Sequence, residues 1–293
     1  MDEFALIEIL VEHQAVHRGD VVLGIGDDAA VVRPEDGREL VVTTDVLVNG
    51  VHFPESTEPA AVGYKSLAVS LSDVAAMGAT PLWATLCLTM PDANEVWIKE
   101  FGTGFFELAA EHGVQLIGGD TASGPLSIAV QVTGAVGDPG YLSRDGAGED
   151  DLIYVSGTLG DAALGLQVVS GALSVSESDG SYFVDRLNRP SPRVALGRAV
   201  LSCASAAIDI SDGLVADLGH ICRRSGVGAV VDVSRVPLSD GYRRCLPRVG
   251  WQPATGFGDD YELCFTVPPD RAPTVERVGT ELGLSVTCIG HIT

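Results

Sequence analysis

Basic residues are scarce in this 293-residue chain, and lysine is the scarcest: Lys65 and Lys99 are the only two, and 18 Lys and Arg in all face 40 Asp and Glu. A formal charge of −22 repels nucleic acid and anionic membrane surfaces, so neither is expected as a partner. Most of that acidity reads as a solvated, salt-tolerant surface. The six cysteines, at 87, 203, 222, 245, 264 and 288, form no Cys-x-x-Cys pair. That excludes a zinc ribbon and a small disulfide scaffold, and leaves reduced small hydrophobes of a cytoplasmic protein. No basic and apolar leader precedes Met1-Asp2-Glu3, and no apolar run reaches membrane-spanning length. Gly-Lys does not occur, which removes the phosphate loop. Gly-x-Ser-x-Gly, a Cys and His nucleophile arrangement and the protein-kinase signatures are missing too.

What the chain does have is aspartate in apolar surroundings. Gly24-Ile25-Gly26-Asp27-Asp28-Ala29-Ala30 lies between Val21-Val22 and Val31-Val32. Asp45 follows Val41-Val42-Thr43-Thr44, Asp73 lies in Leu71-Ser72-Asp73-Val74, Asp120 follows Ile117-Gly118-Gly119, and Asp209 and Asp212 stand in Ile208-Asp209-Ile210-Ser211-Asp212-Gly213. Adjacent like charges raise the cost of ionising each other. With no lysine beside them, the economical compensator is a hard divalent cation with oxygen ligands. Each aspartate alone has a plainer account: Asp212-Gly213 as a turn, Asp161 and Asp212 as helix caps, Asp120 as a turn acceptor after two glycines. Five separate strand ends or loops that each deliver a carboxylate exceed what turn chemistry supplies, and suit a multi-metal phosphoryl-transfer site. His52 and Lys65 carry weight only within that context. The formal dinucleotide fingerprint at Gly24 fails, because Val31-Val32-Arg33-Pro34 cannot start the helix it requires.

The length suits two domains, and 46% hydrophobic residues suffice for a sizeable core. Phe4, Leu6, Ile7, Ile9, Leu10 and Val11 predict a short amphipathic helix, followed by short strands around Val21, Val31 and Val41. Pro59 opens a helical pattern through Met77, which Gly78 and Pro81 end. A strand at 82–90, a helix from Asn94 to His112 stopped by Gly113, and strands at 114–117 and 127–136 complete a first α+β unit. The glycine- and acid-rich run 137–151 is the linker candidate, giving expected domains at 1–138 and 151–293 joined by 139–150. The second unit reads as a strand at 152–156, a helix from Asp161, a small-residue loop at 170–180, a helix at 193–201, a strand at 206–210, a helix at 214–224, strands at 230–233, 261–267 and 285–289, and a helix at 272–282.

Six stretches in order then carry a family resemblance: Gly24 to Ala30, Thr43-Thr44-Asp45 with His52-Phe53, Tyr64-Lys65 through Asp73 to Ala79, Gly118-Gly119-Asp120-Thr121, Ser211-Asp212-Gly213-Leu214, and Asp260-Tyr261-Glu262-Leu263. Together they resemble the thiamine-monophosphate kinase family over essentially the whole chain. The resemblance implies the two-domain α+β fold of aminoimidazole ribonucleotide synthetase, with the N-terminal half forming a dimer barrel and hence a homodimer. It implies several Mg2+ ions held by Asp28, Thr43, Thr44, Asp45, Asp73, Asp120, Asp209 and Asp212. ATP, the co-substrate, would meet Gly119, Asp120, Arg144 and Ser211, and thiamine monophosphate would meet His52 and Asp259. Transfer would be direct and metal-assisted, with no catalytic side chain needed. Two departures stand out. Phe257-Gly258-Asp259-Asp260 replaces the family's Gly-Gly-Glu-Asp, and the family's C-terminal segment, with its aromatic substrate contact, is expected to be absent after Thr293. The alternatives are another ATP-dependent synthetase of the same fold and a non-catalytic divalent-cation binder.

Overall fold

The computed structural model describes residues 3–92 and 94–293, with side chains from Leu6 onward. The expected apolar role of Phe4 and the reading of Met1-Asp2 lie outside the described residues. The chain divides into unit 1, Met1–Val74 with Thr80–Gly137, and unit 2, Ala75–Ala79 with Asp138–Thr293.

Unit 1 begins with α1 (Glu3–Val11) and the short antiparallel pair β1 (Val21–Leu23) and β2 (Val31–Val32), which bracket the glycine turn. The main sheet contains β3 (Glu39–Val48), β4 (Thr80–Met90), β5 (Gln115–Ser123) and β6 (Ser127–Val136), in the order β3-β6-β4-β5. All its neighbours are antiparallel except β4 and β5, which α3 (Glu95–His112) joins as a crossover. Asn94 caps α3 by accepting from the amides of Val96 and Trp97, and Gly113 closes it in the left-handed region. α2 (Pro59–Ala76) buries Leu67, Leu71 and Val74, while α3 buries Ile98, Phe101 and Phe105. The opposite face of β3 stays open, with Leu40, Val42 and Val46 about half exposed.

The sequence ends a strand at 117 and leaves Asp120 at its end or in the loop beyond; Asp120 lies instead within β5, which continues to Ser123. Gly119 makes the continuation possible. At φ +152 a Cβ there would stand 1.8 Å from the Leu86 carbonyl oxygen, so only glycine lets β5 pair this closely with β4.

Unit 2 is a fully antiparallel sheet, β8-β10-β7-β11-β9, made of β7 (Leu152–Ser156), β8 (Ala206–Asp209), β9 (Ala229–Val231), β10 (Leu263–Val267) and β11 (Val286–Ile292). Alternate residues feed two cores. Ile153, Val155, Ile208 and Cys264 face one, and Tyr154, Ala207, Leu263 and Phe265 the other. Both faces are therefore covered, and the strands β7, β8 and β10 are buried almost throughout. The helices are α4 (Asp161–Val169), α5 (Glu177–Asn188), α6 (Val194–Val200), α7 (Leu214–Ser225), α8 (Asp240–Val249), α9 (Gln252–Gly256) and α10 (Ala272–Leu282). The expected loop at 170–180 is interrupted by α5, where Ser176 accepts from the Asp179 amide as a cap and Phe183 and Leu187 supply the buried stripe. Helices α8 and α9 are likewise absent from the sequence reading. Residues 138–151 belong to unit 2, held there by the Ala207 amide on the Ser143 carbonyl and by Ser205 and Gly148 on the Asp151 carboxylate.

Candidate active site

In unit 1 the aspartates gather in two places. The first is a concavity of about 560 Å³, lined by Asp27 and Asp28 of the glycine turn, by Gly118 to Thr121 of β5, and by apolar Ile7 and Leu10 of α1. Asp28 and Asp120 are exposed there, and each is poised by a local contact: the Asp28 amide donates to Asp27 Oδ1 at 2.8 Å, and the Thr121 amide to Asp120 Oδ1 at 3.0 Å. One end of this concavity is acidic and the other apolar.

The second place is the seam between β3 and α2. Thr43 and Asp45 share a face of β3 by strand alternation, and Ser70 and Asp73 share a face of α2 at i, i+3. Thr43 donates its hydroxyl to Asp73 Oδ2, and Ser70 donates to Asp45 Oδ2 at 2.7 Å and to the Val130 carbonyl at 3.0 Å. Burial raises the Asp45 carboxyl above the usual range, and the nearby Asp73 charge adds to the rise, against the Ser70 hydrogen bond. Thr44 alternates to the other face and is exposed, so its side chain does not join this group. Among the described residues no three His, Cys, Asp or Glu side chains converge closely enough to hold a metal ion. The donor chemistry fits a hard divalent cation all the same: carboxylates that crowd one another and hydroxyl oxygens, with no sulfur or imidazole among them.

His52 is fixed by its own backbone. Its amide donates to the Val48 carbonyl at 2.9 Å, the Val48 amide donates to His52 Nδ1 at 3.0 Å, and the buried Lys65 Nζ donates to the His52 carbonyl at 3.3 Å. In the neutral ring, Nε2 then carries the proton and presents a donor.

The remaining expected site residues lie in unit 2. Asp209 ends β8 and is buried, Ser211 and Asp212 form the turn into α7, and Arg144 is exposed with its carbonyl accepting from Ser225. Asp259 lies in a loop with two non-glycine residues at positive φ, itself at +68° and Tyr261 at +50°. Such conformations cost about 1–2 kcal/mol each. Between them Asp260 is fully buried, accepting the Gly160 amide at 2.7 Å on Oδ2, and its Oδ1 has no partner among the described residues. Burial pushes the Asp260 carboxyl well up, against the pull of that amide. Glu262 is 0% exposed and accepts from Arg186 at 2.9 Å, from Arg193 at 2.6 and 2.5 Å, and from Ser156 at 2.5 Å. The sequence reading names neither Ser70 nor this arginine pair, although the i, i+3 spacing of Ser70 and Asp73 on one helix is a signal for the first.

The fold is that of an AIR synthase related protein. The family model for the N-terminal domain matches residues 26–136, and that for the C-terminal domain matches residues 148–293. Thiamine-monophosphate kinase of Escherichia coli K12 is 44% identical over 293 residues, covering 99% of this chain and 90% of that protein. The crystal structure of thiamine-monophosphate kinase from Stenotrophomonas maltophilia K279a superposes with a TM-score of 0.92 at 47% identity, over 100% of this chain and 94% of the other. AaThiL complexed with AMPPCP and TMP superposes with a TM-score of 0.80 at 33% identity, over 99% and 90%. The chain belongs to the thiamine-monophosphate kinase family.

Proposed function

We propose that the aspartates of unit 1 carry the reaction of this family: the γ-phosphoryl group of ATP moves to the phosphate of thiamine monophosphate, giving thiamine diphosphate and ADP. The observation that carries this reading is the pair of half-buried carboxylates, Asp45 and Asp73, held by hydroxyls with no cation paired to either among the described residues, in a chain whose relatives are thiamine-monophosphate kinases. Both reactants are anionic, so repulsion between phosphates is the barrier and no general base is required. Magnesium, when bound, would supply the positive charge that offsets this repulsion. Asp28, Thr43, Asp45, Asp73 and Asp120 are the side chains assigned to it in unit 1, with Thr44 able to offer only its backbone carbonyl to that group, and Asp209 and Asp212 in unit 2. Gly119, Asp120, Arg144 and Ser211 are assigned to ATP. The apolar wall of Ile7 and Leu10 suits a nucleobase, and the acidic end suits metal-bound phosphates. His52 donates through Nε2, and Asp259 offers a carboxylate to the cationic thiazolium or to the aminopyrimidine.

The open face of β3, where Val42 is 59% exposed, supports a homodimer formed through unit 1. Sedimentation at micromolar concentration should show twice 30.5 kDa, and a monomer alone would remove that part of the reading. Among the described residues no helix is long and apolar enough to cross a membrane, and the scattered free cysteines support the cytoplasm as its compartment. The test of function is ADP release in magnesium and ATP, with and without thiamine monophosphate. Release that requires thiamine monophosphate is expected. Release that ignores it points to another synthetase of this fold, and no release at all to a cation binder.

A further inference from the structure

The turn that carries Ser211 and Asp212 is organised from behind by a side chain outside the six motifs. The amides of Ser211, Asp212 and Gly213 all donate to one oxygen, Asp217 Oδ2, at 3.1, 3.0 and 3.0 Å. Asp217 is 2% exposed and lies in the first turn of α7. A carboxylate there satisfies amides that a helix start leaves unpaired, so helix capping is the plainest account. Capping does not account for what the other side of the turn does. With its amides gathered inward, the turn offers its carbonyls to the loop at 257–261: the Asp259 amide donates to the Ser211 carbonyl at 3.0 Å, and the Tyr261 amide to the Ile210 carbonyl at 2.9 Å. The approach is tight enough that a Cβ on Gly258 would sit 1.8 Å from the Ser211 oxygen. Tyr261 then donates its hydroxyl to Asp259 Oδ1 at 3.2 Å. Both loops are one joint.

We propose that Asp217 is a positioning residue for the phosphoryl transfer, fixing Ser211 and Asp212 directly and Asp259 through the carbonyls of the same turn. The assignment rests on the roles given above to Ser211, Asp212 and Asp259. It makes a single buried carboxylate set the metal and nucleotide side and the thiamine side of unit 2 together, so its loss affects both.

The test uses Asp217→Ala and Asp217→Asn in the full chain, with Asn retaining a carbonyl oxygen that can accept the three amides. Hydrogen exchange at Asp259 and Tyr261 reads the joint without any substrate. Electron paramagnetic resonance of Mn2+ with a non-hydrolysable ATP analogue reads metal binding, and steady-state kinetics reads KM for thiamine monophosphate. In Asp217→Ala both amides should lose protection, and Mn2+ affinity and KM should each worsen by about tenfold or more, the scale on which supporting shells act. Asp217→Asn should recover most of all three. If Asp217→Ala does not fold, Gly258→Ala forces the two loops apart while leaving α7 its cap, and should show the same exchange and KM signature. A folded Asp217→Ala with native exchange, Mn2+ affinity and KM overturns the proposal, as does an Asn variant no better than Ala. A wild type that ignores thiamine monophosphate would instead overturn the functional reading, with the exchange result still reporting on the joint.

Discussion

Two sets of acids, one in each unit, are treated in opposite ways by the same chain. In unit 2 three buried carboxylates have matched partners: Glu262 has two arginines and a serine, Asp217 three amides, and Asp161 accepts from Thr158 and Ser239. In unit 1 Asp45 and Asp73 each accept from one hydroxyl among the described residues, and Asp28 and Asp120 face an open concavity. Arg186 and Arg193 are spent on Glu262, and in unit 1 Arg18 goes to Asp20 rather than to Asp45 or Asp73. Matched acids hold the fold, and acids left without a matching cation are those free to take one from solution.

The largest effect should come from breaking a match. Glu262→Ala leaves the part-buried Arg186 and Arg193 without the fully buried carboxylate between them, which should destabilise the protein by about 3–5 kcal/mol, visible as a large fall in Tm. A Tm near the wild type would mean that the arginines relax to solvent and the match is dispensable. Asp73→Asn should do the reverse. It removes one of two crowding charges, so Tm should hold or rise while kcat falls by about 10–100-fold. A variant that loses Tm and keeps its rate would make Asp73 structural and erase the contrast.

A pH-dependent effect concerns Asp260, whose Oδ1 has no partner among the described residues. Its carboxyl is raised by burial from an ordinary 3.8, so the folded protein binds a proton there that the unfolded chain releases. Stability from this group is complete below pH 3.8 and is lost as pH rises toward the folded value, at no more than about 1.4 kcal/mol per pH unit. Asp260→Asn has no proton to lose. Its Tm relative to the wild type should therefore climb as the pH is raised from 4 to 7, and a difference independent of pH would show that Asp260 is not protonated in the fold.

How much of this could be read from residues alone follows from where the signal lies. Helix α3 was legible because Asn94 and Gly113 mark its ends, and α10 and β6 because their apolar periods are clean. Helix α5 was not, because its buried Phe183 and Leu187 are preceded by Ser, Glu, Asp and Gly that read as loop, and α8 contains Pro247. Strand β5 was ended too early, at 117, because Gly118-Gly119 reads as a stop; only the approach of Leu86 reveals why a strand needs a glycine there. The unit 1 acids were legible as a set, since carboxylates among apolar residues lack local explanation. Asp217 was not, because its partners are backbone amides, which leave no trace in residue type.

If the acids of unit 1 that lack a partner cation bind metal as proposed, the protein needs metal beyond what arrives on ATP. The direct measurement is initial rate against free magnesium with magnesium-ATP and thiamine monophosphate already saturating, for the wild type and Asp73→Asn. The wild-type rate should keep rising to a second plateau, and the Asp73→Asn curve should shift to higher magnesium. A wild-type rate already flat once magnesium-ATP is saturating, with the Asp73→Asn curve equally flat, would contradict it.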